Sequence, residues 1–307
     1  MSIQLTPTYG EPHYLAPEIC RVIANNPSPM TYWGTNTYII GSGALTVIDP
    51  GPDDELHFQA LNEVIAGRQV SHILVTHSHL DHSPLAKGLS TATGAKIYAF
   101  GPSEAGRSAK MQMLGQSGLV GGGEGIDHSF SPDVTLADGA VLETPAGVIR
   151  ALHTPGHIGN HMCFQWNNAV FCGDHVMGWA SSLVSPPDGD LGDFLSSCER
   201  LKSVATGTFY PAHGNPIAQP HERLEWLIDH RNQRSAQILA ALQEGPATAA
   251  ELTTVLYVDT PQALWPAAER NVLAHLIHLT QRGEIKPIGN LQKDATFLLN
   301  KTDETIK

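Results

Sequence analysis

His72-Ile73-Leu74-Val75-Thr76-His77-Ser78-His79-Leu80-Asp81-His82 decides how this chain is read. An apolar run ends in three imidazoles and a carboxylate within six residues: His77, His79, Asp81 and His82. A strand end has no packing reason to collect so many polar groups. Imidazole with carboxylate is the donor set of a zinc-like ion. A solvated histidine-rich loop is the competing reading, but such tracts are looser in spacing. The stretch therefore predicts a metal site at the C-terminal end of a strand.

A site for two ions needs more than four ligands, and further candidates follow apolar runs downstream. His153-Thr154-Pro155-Gly156-His157 follows Val148–Leu152, Gly173-Asp174 follows Ala169–Cys172, and Ala212-His213-Gly214 follows Gly207–Phe209. Each lies beside a glycine that permits close backbone approach.

Upstream, residues 36–50 read as a hairpin about Gly41-Ser42-Gly43, and Asp54 to Ala66 has helical spacing stopped by Gly67. A helix over 83–89 and a strand over 96–99 continue a β-α-β alternation. Residues 101–127 are glycine-rich with little periodicity, which fits a lid beside a site or a plain surface insertion equally. Strand-and-turn character returns over 130–176. From His221 the pattern becomes helix, capped helix from Thr248, helix over 264–281 and a hairpin of 285–288 with 296–299. That order is winged-helix-like and sets the expected domains at 1–220 and 221–307.

The chain has 307 residues, 41% hydrophobic and 16% charged, a globular composition. No apolar stretch approaches the roughly 18 residues needed to span a bilayer, and the N-terminus shows no signal-peptide pattern, so a cytoplasmic protein without membrane partners is expected. Cys20, Cys163, Cys172 and Cys198 form no CxxC pair, which fits reduced thiols. A net charge of −12 argues against a broad nucleic-acid-binding face. The sequence leaves an oligomer open.

With HxHxDH at His77–His82 and the downstream stations in place, the chain resembles the metallo-β-lactamase-fold hydrolases over about residues 15–220. The stretch Trp33-Gly34-Thr35-Asn36-Thr37-Tyr38, the His153–His157 motif and the C-terminal module are most similar to the β-lactamase-like protein 2 subgroup, whose named member is an endoribonuclease. The resemblance implies an α/β fold: a four-layer αββα sandwich followed by a small winged-helix-like α+β module. It also implies that His77, His79 and His157 bind one divalent ion, that Asp81, His82 and His213 bind another, and that Asp174 bridges both. Asp174 in place of cysteine departs from common class B β-lactamases. His79 in place of glutamate departs from flavodiiron proteins and favours two Zn²⁺.

The expected chemistry is attack by a hydroxide shared between two ions roughly 3.5 Å apart, with Asp81 and Asp174 as catalytic carboxylates. Asp49, His153 and His161 are candidates to support the ligands from behind. Trp33, Asn36, Trp179 and Ser181 are candidate substrate contacts. The leading functional reading is a dinuclear zinc hydrolase of a small ester, thioester or lactone-like substrate. An endoribonuclease acting on single-stranded RNA is the alternative, opposed by the acidic charge; a mononuclear iron sulfur dioxygenase is a third. For the C-terminal module, an interaction or pocket-closing role is favoured over DNA binding, because its third helix is not densely basic.

Overall fold

The computed structural model describes residues 8–119, 121, 125–204 and 207–300. The first sheet gathers β1 (His13–Ala16), β2 (Ile19–Ile23), β3 (Asn36–Ile40), β4 (Leu45–Ile48), β5 (Val70–Leu74), β6 (Lys96–Ala99) and β7 (Val134–Thr135) in sequence order. Helices α1 (Glu55–Ile65) and α2 (Leu85–Thr93) provide the crossovers that make β4, β5 and β6 parallel. A third helix, α3 (Ala109–Gln116), precedes β7. The second sheet takes β8 (Val141–Thr144), β9 (Gly147–His153), β10 (Met162–Trp166), β11 (Ala169–Gly173) and β12 (Thr208–Pro211), ordered β12-β11-β10-β9-β8, with α4 (Leu191–Val204) ahead of β12.

Alternation along the strands builds the layers. In β3, Tyr38 and Ile40 face the core between the two sheets, while Ile39 faces the core shared with α1 and α2. In β11, Phe171 joins the inter-sheet core, while Val170 and Cys172 pack with Phe194 and Leu201 of α4. Helix, sheet, sheet, helix is thus the stacking order.

The C-terminal module follows as α5 (Pro220–Gln243), β13 (Ala247–Thr248), α6 (Ala249–Leu256), a 3-10 turn at Gln262–Leu264, α7 (Trp265–Gln281), β14 (Ile285–Pro287) and β15 (Thr296–Leu299). The Thr248–Glu251 capping box is formed. The expected wing pairs β14 with β15 and gains β13 as a third strand. Helix α5 belongs to two cores. Leu224 and Leu227 pack beneath the second sheet, whereas Ile238 and Leu242 pack against α6 and α7.

One expectation needs correction. Part of the stretch 101–127 is the helix α3, capped by Ser108, whose side chain accepts from the Met111 amide. Met111 and Leu114 enter the core of the C-terminal module together with Leu119. Two apolar anchors three residues apart are too short a period to stand out among glycines. Gly122, Gly123 and Glu124 of the glycine run lie outside the described residues. Four further elements, β1, β2, β8 and α4, were not legible in the sequence. The first three are short, and α4 is rich in serine and charged residues.

Candidate metal centre

The seven metal-ligand candidates converge from the ends of four chain segments, at the edges where the two sheets meet. His77, His79, Asp81 and His82 follow β5, His157 follows β9, Asp174 follows β11 and His213 follows β12. An isolated bridge between Thr35 and His213 joins the two sheets at this point.

Two groups can be distinguished. His77, His79, His157 and Asp174 form one, and Asp81, His82 and His213 the other; within each group the donor atoms lie within 4.8 Å of one another. In the first group His79 Nδ1 is 2.9 Å from His77 Nε2 and 3.0 Å from His157 Nε2. In the second, Asp81 Oδ2 is 3.3 Å from His82 Nε2 and 3.2 Å from His213 Nε2. Asp174 serves both: Oδ2 lies 3.7 Å from His157 Nε2, while Oδ1 lies 3.5 Å from His82 Nε2 and 3.3 Å from His213 Nε2.

The imidazoles are aimed inward by partners on their far nitrogens. His157 Nδ1 meets the Leu183 carbonyl at 2.7 Å, and His213 Nδ1 meets the Gly34 carbonyl at 3.2 Å. His82 Nδ1 lies 3.0 Å from Asp49 Oδ2, and His77 Nδ1 lies 3.0 Å from the Thr76 hydroxyl, which donates to the same Asp49 oxygen. Asp49 also accepts from the Thr76 amide at 2.7 Å. Backing of this kind fixes tautomer and ring orientation in metal sites.

Electrostatics show what the arrangement lacks. Burial pulls His77 down and His79 to about 3, with neighbouring imidazoles adding to the effect. Burial also opposes charge on His82 and His213, yet the carboxylates prevail: Asp81, Asp174 and Asp49 hold His82 well above its ordinary value. Asp174 and Asp81 raise His213 to about 10. Against the same burial penalty, His82 and His213 hold Asp81 and Asp174 well below the carboxylate range. Even so, His82 Nε2, His213 Nε2, Asp81 Oδ1 and Asp174 Oδ1 are buried without a hydrogen-bond partner. Inward-facing lone pairs and orphaned atoms of this kind fit divalent cations, which take these donors with neutral histidines.

The other candidates are placed as follows. His161 is buried with its ring 5.2 Å from His77, and its Nδ1 meets the Thr154 hydroxyl. His153 stacks on Phe100 and its Nε2 meets the Gly159 carbonyl, so it braces the turn carrying His157. Asn36 is buried and donates to the carbonyls of Pro211 and Gly214, either side of Ala212 and His213. This is the work of a strut, not the substrate contact expected of it. Trp33 packs beside Tyr32, on which Trp179 stacks at 4.9 Å. Trp179 and Tyr32 line a separate groove with Arg223 and Trp226. A cavity of about 780 Å³ does reach His79 and His157, with Arg107, Leu119 and Ile126 on one side and Leu183, Pro187 and Asp188 on the other. Among the described residues, neither Trp33, Trp179 nor Ser181 lines it.

Sequence reading missed three supports. Thr35 donates to Asp81 Oδ2 at 3.1 Å, and the Leu183 carbonyl meets His157. Arg231 donates to the carbonyl of Ser182, the residue before Leu183. Only Arg231 left a trace: it interrupts the apolar stripe Leu224, Leu227, Ile238, Leu242 at a core position.

The sequence profile of the metallo-beta-lactamase superfamily matches residues 30–213, and that of the beta-lactamase associated winged helix domain matches residues 248–293. The chain belongs to the metallo-beta-lactamase superfamily. It is 31% identical over 283 residues to a beta-lactamase-like protein 2 homolog of Drosophila melanogaster, covering 89% of this chain and 91% of that one. It is 29% identical over 275 residues to an atrochrysone carboxyl ACP thioesterase of Aspergillus fumigatus, covering 83% and 78%. A metallo-beta-lactamase family protein from Thermus thermophilus superposes with a TM-score of 0.74 at 26% identity, over 93% of this chain and 100% of that one. The fold is thus the α/β sandwich of this superfamily followed by a winged helix, and the protein is a metal-dependent hydrolase.

Proposed function

We propose that this chain is a dinuclear zinc hydrolase whose substrate is a small ester, thioester or lactone, with a thioester favoured. Its catalytic domain would end near residue 220. The observation that carries the reading is Asp174, whose two carboxylate oxygens face different histidine groups. Two ions bound there would supply Lewis-acid polarisation of the scissile carbonyl and a water acidified to near neutrality.

The protein's own part is positioning and proton handling. Asp81 is held in orientation by Thr35 donating to Oδ2, which would keep its carboxylate turned toward the ion and the attacking water beside it. The substrate lies in the cavity against His79 and His157, whose apolar lining includes Leu119, Ile126, Leu183 and Pro187. Its volume suits an acyl chain of moderate size. Arg107 on its wall is paired with Asp188 at 2.6 Å, so among the described residues the lining offers no unopposed cationic track for phosphates. The thioesterase named above supports the acyl-transfer reading over RNA cleavage. Four free, buried thiols support a reducing compartment such as the cytoplasm.

The deciding experiment is hydrolysis of acyl thioesters, esters and lactones by zinc-loaded protein, with Asp174→Ala as control. Turnover lost in the control is expected. Cleavage of labelled single-stranded RNA by protein inert toward all three substrate types would replace this reading.

A further inference from the structure

We infer that Arg231 and Asn271, both in the C-terminal module, are positioning residues for the metal centre, acting through the three-residue segment Ser182-Leu183-Val184. The inference rests on the metal-centre reading above and gives the C-terminal module a task within it.

Every link is a direct contact. On its inner side the segment holds two ligands. The Leu183 carbonyl accepts from His157 Nδ1 at 2.7 Å, and the Ser182 hydroxyl donates to the backbone carbonyls of Asp174 and His175. On its outer side it is held by the module. Arg231 Nη2 of α5 donates to the Ser182 carbonyl, and the Val184 amide donates to Asn271 Oδ1 of α7 at 3.0 Å. Arg231 Nη1 donates to that same Asn271 oxygen at 3.1 Å, so the two anchors are themselves tied together. Asp174 and His157 belong to the same ion-binding group, and the one short segment braces both.

The chemistry of Arg231 argues that this is more than packing. Its side chain is 2% exposed and lies over the Phe194 ring at 5.2 Å. Burying a guanidinium is costly, and an apolar residue of similar volume commonly does as well for stability. What an apolar residue cannot do is fix a backbone carbonyl in direction, and that carbonyl precedes the one aimed at His157.

The test is a Co²⁺ titration of the chelator-treated full chain, followed by the cobalt absorption bands and by thermal unfolding. Arg231→Met and Asn271→Leu should weaken the ion held by His77, His79, His157 and Asp174 by roughly 10–100-fold and shift its bands. Asn271→Asp keeps an oxygen for Val184 and Arg231 and should restore wild-type binding. Leu252→Ala, in the core of the same module but in α6, should lower the Tm with the bands unmoved. Wild-type affinity and bands in both Arg231→Met and Asn271→Leu, or a matching loss in Leu252→Ala, overturn the inference. If Arg231→Met does not fold, the contrast between Asn271→Leu and Asn271→Asp decides. Failure of the wild type to take up cobalt would instead overturn the metal centre itself.

Discussion

Asp49 Oδ2 lies 3.0 Å from His82 Nδ1, although the residues are 33 positions apart. Asp49 directly follows β4, its backbone in the left-handed region at φ 50, and its carboxylate reaches the end of the neighbouring strand β5. One oxygen thereby orients His82 directly and His77 through Thr76.

Asp49→Ala should therefore weaken both ions together, by roughly 10–100-fold. Competition with a chromophoric chelator measures it. Unchanged affinity would remove Asp49 from the support of the site.

Asp174→Ala removes the group shared by both histidine sets. Bound metal should fall from about two ions to about one, with hydrolysis lost. Elemental analysis of dialysed protein counts the ions, and retention of both would sink the bridging role.

The metal-free protein should carry protons on His82 and His213 at neutral pH, because both are held above their ordinary value. Loading with zinc near pH 7.5 should release about two protons, seen as a buffer-dependent heat in calorimetry. The effect on stability has two sides. A raised histidine contributes stability fully below about 6.5 and loses it as pH climbs toward about 10. Depressed Asp81 and Asp174 contribute above about 3.8 and lose it as pH falls. His77 and His79, buried neutral, cost stability as pH falls below about 6.5, so chelator-treated protein should unfold at the highest temperature near pH 6.5 and at lower temperature by pH 9. A flat profile on the alkaline side would contradict this charge arrangement.

Gly156, beside His157, has φ +140, and a Cβ there would fall 2.3 Å from the Phe194 Cα. Gly156→Ala should cost roughly 2–4 kcal/mol, since α4 must shift bodily to relieve the contact. Thermal unfolding of the metal-free protein reads this without interference from the ions.

Leu114→Ala should loosen α3 from the C-terminal core, at a cost of roughly 2–4 kcal/mol. Because α3 and its flanks wall the cavity, KM for a bulky substrate should rise while kcat is largely kept. An equal fall in kcat would mean that α3 acts on the chemistry and not only on the cavity wall.

The sequence by itself determined the fold class and singled out the candidate ligands. HxHxDH is a local pattern at the end of a strand, and His157, Asp174 and His213 each follow an apolar run beside a glycine. The β-α-β alternation upstream, several strands of the second sheet and the wing were legible because periodicity is also local. Tertiary structure alone decided the contacts that orient the candidate ligands, such as Thr35 on Asp81 and the Leu183 carbonyl on His157. Asn36 became a strut, Asp49 a shared support, and His153 the brace of a turn. Arg231 and Asn271 reach Ser182 and Val184 across 49 and 87 residues. Contacts at that separation follow from how helices pack on sheets, and no repeat or spacing along the chain encodes them.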